Sequence, residues 1–126
     1  MPQPLPVDAL FAALDRKDLG SFLSFLAPNC RLQYGNRPPV VGRDAISDVV
    51  SRFFEQISES RHEVTEHWQV ENAVICHGVA TYTRPDGTAL SIPIAHIMTL
   101  DEGLISDYRV FLDISSLFPP ASPPSP

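Results

Sequence analysis

The first half of the chain repeats apolar residues at the spacing of amphipathic helices. This spacing predicts two short helices over residues 7–14 and 19–26, the second of which stops before Pro28. A strand over residues 31–34 follows them. A wider apolar stripe then predicts a third helix, which Asp44 is expected to cap. The members of this stripe are Ile46, Val49, Val50, Phe53, Phe54 and Ile57.

The second half of the chain changes to the two-residue period of β-strands. Short turns at Glu71-Asn72, Pro85-Asp86-Gly87 and Asp101-Glu102-Gly103 separate the strands, which implies antiparallel neighbours. Helices followed by an antiparallel meander predict an α+β fold in which the helices cover one face of a curved sheet. The predicted strands span residues 62–70, 74–84, 89–100 and 104–113.

Length and charge limit the classes of function. A chain of 126 residues is expected to form one domain, here over residues 1–118, and the Pro- and Ser-rich residues 119–126 are expected to be a flexible tail. The net charge of −6 argues against a nucleic-acid partner. The N-terminal residues lack the pattern of a signal peptide, and no long apolar segment suggests a membrane partner. We therefore expect a cytoplasmic protein.

Cysteine and histidine spacings give no metal or disulfide pattern. Cys30 and Cys76 are too few for a disulfide framework and are expected to be free, buried thiols. His62 and His67 are five residues apart, and in a strand their side chains face opposite ways. We therefore predict no metal site.

His96 is the main chemical candidate because it interrupts the apolar run over residues 90–100. A buried polar group without a partner costs about 1–3 kcal/mol, so this imidazole is expected either to be hydrogen-bonded in the core or to line a cavity. Strand alternation turns Ile92, Ile94 and Met98 to the same side. Apolar surroundings disfavour the charged imidazole, which predicts a neutral histidine able to accept or donate a proton.

Three segments of the sequence carry a family resemblance: Gly42-Arg43-Asp44-Ala45-Ile46, Asp101-Glu102-Gly103-Leu104-Ile105 and Tyr108-Arg109-Val110-Phe111-Leu112-Asp113. With the order of elements, they make the chain resemble the SnoaL-like branch of the NTF2-like superfamily over residues 7–118. The resemblance implies a conical barrel, in which a curved and mostly antiparallel sheet wraps around the N-terminal helices and encloses an apolar cavity. It also implies a homodimer that pairs through the sheet.

Two well-known reactions of the superfamily lack their residues here. The positions that match the catalytic groups of ketosteroid isomerases are Leu10, Gln33 and His96, and a carboxamide such as Gln33 cannot act as their base. The Asp-Arg-Asp set of the epoxide hydrolases matches Gly78, Ala80 and Val110. Neither reaction is expected in its familiar form. His96 matches the isomerases' hydrogen-bond donor to the developing oxyanion, which implies that it lies at the cavity wall.

The resemblance extends the candidate site beyond His96. It turns Tyr108 toward the cavity as a donor to a ligand oxygen, and Asp113 is expected either to relay a proton at the mouth or to cap the following turn. One of Gln33 and Tyr34 is expected to face inward near the mouth. His62 faces the cavity or a dimer interface, and alternation places Trp68 on the same face. Further expected ligand contacts are Tyr82, Ile94, Met98 and Leu112.

The resemblance, together with His96, favours a cofactor-independent enzyme of SnoaL-like isomerase or cyclase type, which acts on a small hydrophobic ligand with a carbonyl group in the cavity. His96 would be its acid, base or oxyanion donor, and the predicted catalytic set is His96, Tyr108 and Asp113. The absence of a recognisable carboxylate base favours a second hypothesis, a non-catalytic module that binds a small molecule. A dimeric scaffold with a filled cavity is the third.

Overall fold

A computed structural model describes residues 4–117, so the tail predicted over residues 119–126 lies outside the described residues. Helices and strands follow the predicted order, with one additional short strand. The helices are α1 (Val7–Asp15), α2 (Leu19–Ser24) and α3 (Arg43–Gln56). The strands are β1 (Leu26–Tyr34), β2 (Val40–Val41), β3 (Glu59–Val70), β4 (Ala73–Thr83), β5 (Ala89–Asp101) and β6 (Leu104–Phe111).

The strands form one sheet in the order β2-β1-β6-β5-β4-β3. Neighbouring strands are antiparallel, except that β1 and β6 are parallel. The predicted α+β class and mostly antiparallel sheet are therefore confirmed. The curved sheet is open, with β2 and β3 at its edges, and the helices cover its inner face.

The start of α3 differs from the prediction. Gly42, with φ 95°, occupies the position before the helix, and no side chain forms a capping hydrogen bond there. The expected capping by Asp44 is therefore wrong. Asp44 lies in the first turn of α3, where its negative charge favours the helix dipole. Ile57, expected in the helix, is extended at the end of α3 and buried.

The first strand begins earlier than its sequence suggests. β1 starts at Leu26, so the helix predicted over residues 19–26 ends at Ser24 instead. Pro28 lies within an irregular part of the pairing between β1 and β6. Proline is tolerated in a strand where a hydrogen bond to the neighbouring strand is already missing. Strand β1 can therefore continue past Pro28.

A β-bulge at Thr65 reverses the alternation of inward and outward side chains along β3. Val64 pairs with Gly78 and Glu66 pairs with His77, which leaves Thr65 as the extra residue. The two strands approach so closely that a Cβ at Gly78 would lie 1.9 Å from the main-chain oxygen of Glu63. Beyond the bulge, Trp68 faces outward with 46% of its surface exposed. Its predicted position on the face of His62 is therefore wrong.

The inner face of the sheet carries the core, and the outer face of β4 to β6 carries exposed apolar side chains. Ile92, Ile94, His96 and Met98 all point inward and are buried, as alternation predicted. Cys30 and Cys76 are free and buried, also as predicted, and burial raises the pKa of each thiol to about 11. The exposed outer side chains are Ile75, Val79, Ile97 and Phe111.

Candidate functional site

An apolar cavity lies between the three helices and the inner face of the sheet. Its empty volume, which includes the part open to solvent at the mouth, is about 630 Å³. Its polar groups come mainly from strands. The lining residues are Leu14, Phe22, Leu32, Tyr34, Arg37, Val49, Val50, Phe53, Phe54, Ser60, His62, Tyr82, His96, Tyr108 and Val110.

A carboxylate–imidazole pair stands at the cavity wall. Asp15 Oδ1 lies 2.6 Å from His62 Nδ1, and Asp15 Oδ2 accepts a hydrogen bond of 2.8 Å from the main-chain N–H of His62. Ser60 Oγ donates a third hydrogen bond, of 3.1 Å, to Asp15 Oδ1. With the carboxylate as acceptor, the proton of His62 lies on Nδ1, and Nε2 is left to accept a hydrogen bond or to act as a base.

The end of α1 places Asp15 in this pair. Asp15 is the last residue of α1 and lies one turn after Phe11, so the two side chains share the face that packs on the sheet. The Phe11 ring in turn contacts the His62 ring at a centroid distance of 5.0 Å. Lys17, in a left-handed conformation with φ 56°, then ends the turn and directs the chain into α2. The side chains of Asp15 and His62 are 25% and 5% exposed.

Two tyrosines connect the pair to the mouth of the cavity. Tyr82 Oη lies 3.5 Å from His62 Nε2, and Tyr34 Oη donates to Tyr82 Oη over 3.4 Å. The Phe53 ring packs against both phenol rings, at centroid distances of 5.6 Å to Tyr34 and 5.1 Å to Tyr82. Burial raises the pKa of both tyrosines, so both hydroxyls stay protonated and able to donate.

A second polar pair, His96 and Tyr108, is fully buried. His96 Nδ1 and Tyr108 Oη are 2.8 Å apart, and the Phe11 ring lies 5.0 Å from the His96 ring. Burial, with a smaller contribution from the charge of His62, lowers the pKa of His96 to about 3. Burial also raises the pKa of Tyr108. Both groups are therefore neutral near pH 7, which agrees with the neutral imidazole expected from the sequence.

The remaining predicted residues lie outside the cavity. Asp113 follows β6, is exposed, and accepts a hydrogen bond of 2.9 Å from the main-chain N–H of Ser115, so it caps a turn and does not line the cavity. Gln33 faces away from the cavity, whereas its neighbour Tyr34 faces in. Met98 and Ile94 are buried in the core, Leu112 is partly buried against it, and none of the three lines the cavity.

Sequence reasoning missed Asp15 and Ser60. Asp15 belongs to the charged run Asp15-Arg16-Lys17-Asp18, which looks like an exposed turn, and it is 47 residues from His62. One signal was available: a negative charge at the last residue of a helix is opposed by the helix dipole, so such a residue has a reason to find another partner.

Two observations concern metals and membranes. Within residues 4–117, no three His, Cys, Asp or Glu side chains are grouped so that they could hold a metal ion. None of the helices described over the same residues is long and apolar enough to cross a membrane.

Comparisons with known proteins agree with the fold. The sequence of residues 7–108 matches the family model of the SnoaL-like domain. No curated protein matches the sequence. An NTF2-like protein of unknown function from Burkholderia pseudomallei K96243 is 19% identical, with a TM-score of 0.81 over 88% of this chain and 90% of that one.

Two further solved structures share the fold and differ in description. A candidate SnoaL-like polyketide cyclase from Jannaschia sp. CCS1 is 17% identical, with a TM-score of 0.78 over 88% of this chain and 85% of that one. An LEH-like epoxide hydrolase from M. tuberculosis is 14% identical, with a TM-score of 0.75 over 86% of this chain and 80% of that one. At these identities the likeness concerns the fold alone.

Proposed function

Because the chain belongs to the SnoaL-like domain family, we propose that it is a cofactor-independent enzyme that moves protons on a small hydrophobic carbonyl compound. The observation that carries this proposal is the contact of 2.6 Å between Asp15 and His62 at the wall of an apolar cavity. A histidine oriented by a carboxylate is a common general base. The pair also supplies the carboxylate that the sequence did not reveal.

The proposed chemistry is proton transfer at a carbon next to a carbonyl group. His62 Nε2 removes the proton, and the electron pair of the C–H bond passes to the carbonyl oxygen as an enolate. Tyr82, whose hydroxyl lies beside Nε2, donates a hydrogen bond to that oxygen. In an isomerisation the protonated His62 returns the proton to another carbon. In a cyclisation the enolate carbon attacks a second carbonyl group, and the new alkoxide takes the proton.

His96 has a different role in this proposal from the one expected from its sequence position. Its pKa of about 3 makes it a weak base near neutral pH, and its Nδ1 is already bonded to Tyr108. We assign proton removal to His62 and keep the neutral pair of His96 and Tyr108 as a polar contact in the cavity wall. Asp113 takes no part, since its carboxylate is held by Ser115 at the surface.

Deuterium exchange tests the proposal without knowledge of the natural substrate. 2-Tetralone in D₂O, followed by NMR, should exchange its α-protons faster with the protein than in buffer alone. His62→Gln and Asp15→Asn should each reduce the protein-dependent rate by about 10²–10⁴-fold, because a positioned general base contributes about that factor. The matched controls are His67→Gln, an exposed histidine of the same strand, and Asp8→Asn, an exposed carboxylate of the same helix.

Both controls should retain the wild-type exchange rate. Equal rates for wild type and His62→Gln, with both proteins folded by circular dichroism, would refute the assignment of the base. Exchange by wild type that Asp15→Asn leaves unchanged would remove the carboxylate from the mechanism and leave a lone histidine.

A second candidate function is binding without catalysis. Among the described residues, every buried side-chain nitrogen or oxygen already has a hydrogen-bond partner, so an apolar ligand could enter without disturbing any of them. A binding module predicts saturable binding of 2-tetralone with no exchange above the buffer rate. The exchange experiment therefore separates the two functions.

We also propose that two copies pair through the outer face of the sheet. Ile75 pairs with Ile97 across β4 and β5, and Phe111 pairs with Ala95 across β5 and β6. These side chains therefore form a continuous apolar area, in which Phe111 alone leaves 50% of its surface exposed. Burial of such an area between two copies would stabilise a dimer.

A further inference from the structure

The cavity has one permanently charged lining residue, Arg37. The deeper polar groups of the lining are a hydroxyl, three phenols and two imidazoles, and the other lining side chains are apolar. Arg37 is exposed, so it marks the open side of the cavity. Its guanidinium carbon lies 6.0 Å from the centre of the Tyr34 ring, within the range of a cation–π contact.

Hydrogen bonds hold the main chain of Arg37 in place, and its guanidinium has no acidic partner among residues 4–117. The N–H of Arg37 donates to the carbonyl of Tyr34 over 3.2 Å, and its own carbonyl accepts a hydrogen bond of 3.3 Å from Gln33 Nε2. Within residues 4–117, no carboxylate lies within ion-pair distance of this guanidinium. By contrast, Arg31 and Arg109 both pair with Asp107.

The other cations show what distinguishes this guanidinium. Within residues 4–117, four of the nine Lys and Arg side chains pair with carboxylates, and Lys17, Arg43 and Arg84 donate to main-chain carbonyl groups. Over the same residues Arg37 and Arg52 do neither, and of these two only Arg37 lines the cavity. Arginine binds carboxylates in a bidentate fork, and the apolar wall beside Arg37 would weaken competition from water. The geometry therefore offers an anion site at the entrance of an apolar pocket.

We propose that the ligand of this cavity is an amphipathic acid, with an apolar body inside and a carboxylate held by Arg37 at the mouth. Its orientation rests on the proposed function: the carbonyl group would lie deep, beside His62 and Tyr82, and the acid would lie outside Tyr34. The substrate class is then a hydrophobic keto acid. Gln33, which does not line the cavity, is a positioning residue because it holds the main chain of Arg37.

Binding of a matched pair of probes tests the proposal. 4-Phenylbutanoic acid and 4-phenylbutanamide share shape and differ in charge, and isothermal titration calorimetry measures the affinity of each. Wild type should bind the acid about tenfold more tightly than the amide, as expected for a hydrogen bond to a charged group. Arg37→Gln should abolish the preference, whereas the control Arg52→Gln, an exposed arginine on α3 outside the cavity lining, should keep it.

Three results would overturn the inference: equal affinities of wild type for the two probes, a preference that survives Arg37→Gln, or a preference that Arg52→Gln also removes. The probes need no proton abstraction, so His62→Gln should keep the preference for the acid. A preference for the acid in a protein that exchanges no α-protons would leave the anion site standing and reject the enzyme. Exchange of α-protons without a preference for the acid would keep the enzyme and reject the anion site.

Discussion

Burial of neutral His96 makes the stability of the fold depend on pH, and glutamine at this position should remove that dependence. In the folded chain, burial lowers the pKa of His96 to about 3, whereas an unfolded histidine titrates near about 6.5. Between these values the unfolded chain binds more protons at this residue, so acid favours unfolding. The contribution to stability is complete above about pH 6.5 and is lost progressively as the pH falls toward 3.

The loss of stability at about pH 5 depends mainly on the pKa of His96 in the unfolded chain, because the pKa of His96 in the folded chain lies well below that pH. One pH unit corresponds to about 1.4 kcal/mol, so the loss at about pH 5 is about 2 kcal/mol relative to neutral pH. Domains of this size unfold with about 5–15 kcal/mol, so such a loss is measurable.

Urea unfolding followed by circular dichroism at about pH 7.5 and about pH 5 measures the effect in wild type and His96→Gln. Glutamine keeps a hydrogen-bonding group beside Tyr108 and removes the titration. The wild type should lose about 2 kcal/mol more than the variant between the two pH values. His67→Gln, an exposed histidine on β3, should behave as wild type does. Equal losses in wild type and His96→Gln would refute the reasoning.

Three further predictions follow from packing and contacts. Gly78→Ala should lower the free energy of unfolding by about 1–3 kcal/mol or more, because the new methyl group meets main-chain atoms of β3; an unchanged urea midpoint would contradict this. Phe111→Asp should convert a dimer into a folded monomer, as measured by light scattering after gel filtration, and a monomeric wild type would reject the pairing. Ser60→Ala removes one of three hydrogen bonds to Asp15, so it should slow α-proton exchange less than Asp15→Asn does. A larger loss from Ser60→Ala would assign Ser60 a direct role.

Much of the fold could be predicted because the local spacing of apolar residues indicates where each helix and strand lies. The alternation around His96 identifies the inner face of β5 directly, since successive side chains of a strand point to opposite faces of the sheet. Short turns containing Gly87 and Gly103 define the antiparallel order of the last three strands. The capping of α3 could not be predicted in the same way, because both Gly42 and Asp44 suit the start of a helix and only the main-chain path distinguishes them.

The candidate site was only partly predictable, because its central contact joins distant segments. Alternation brings Tyr82 and His96 to the inner face, but nothing in the sequence pairs Asp15 with His62. The residues that line the cavity also depend on how the helices cover the sheet. Met98 faces inward as expected, yet core side chains cover it completely, so facing inward did not mean contacting the cavity.

The bulge at Thr65 divides β3 into two segments whose side chains alternate in opposite phase. Before the bulge, the even-numbered Ser60 and His62 line the cavity, whereas the even-numbered Trp68 after it faces outward. A relative that is one residue shorter at Thr65 would regain a regular ladder and keep both surfaces. The same deletion elsewhere in the strand would turn one segment over. The position of a deletion in this strand, and not the length difference alone, therefore predicts which relatives keep a residue at the place of His62 facing the cavity.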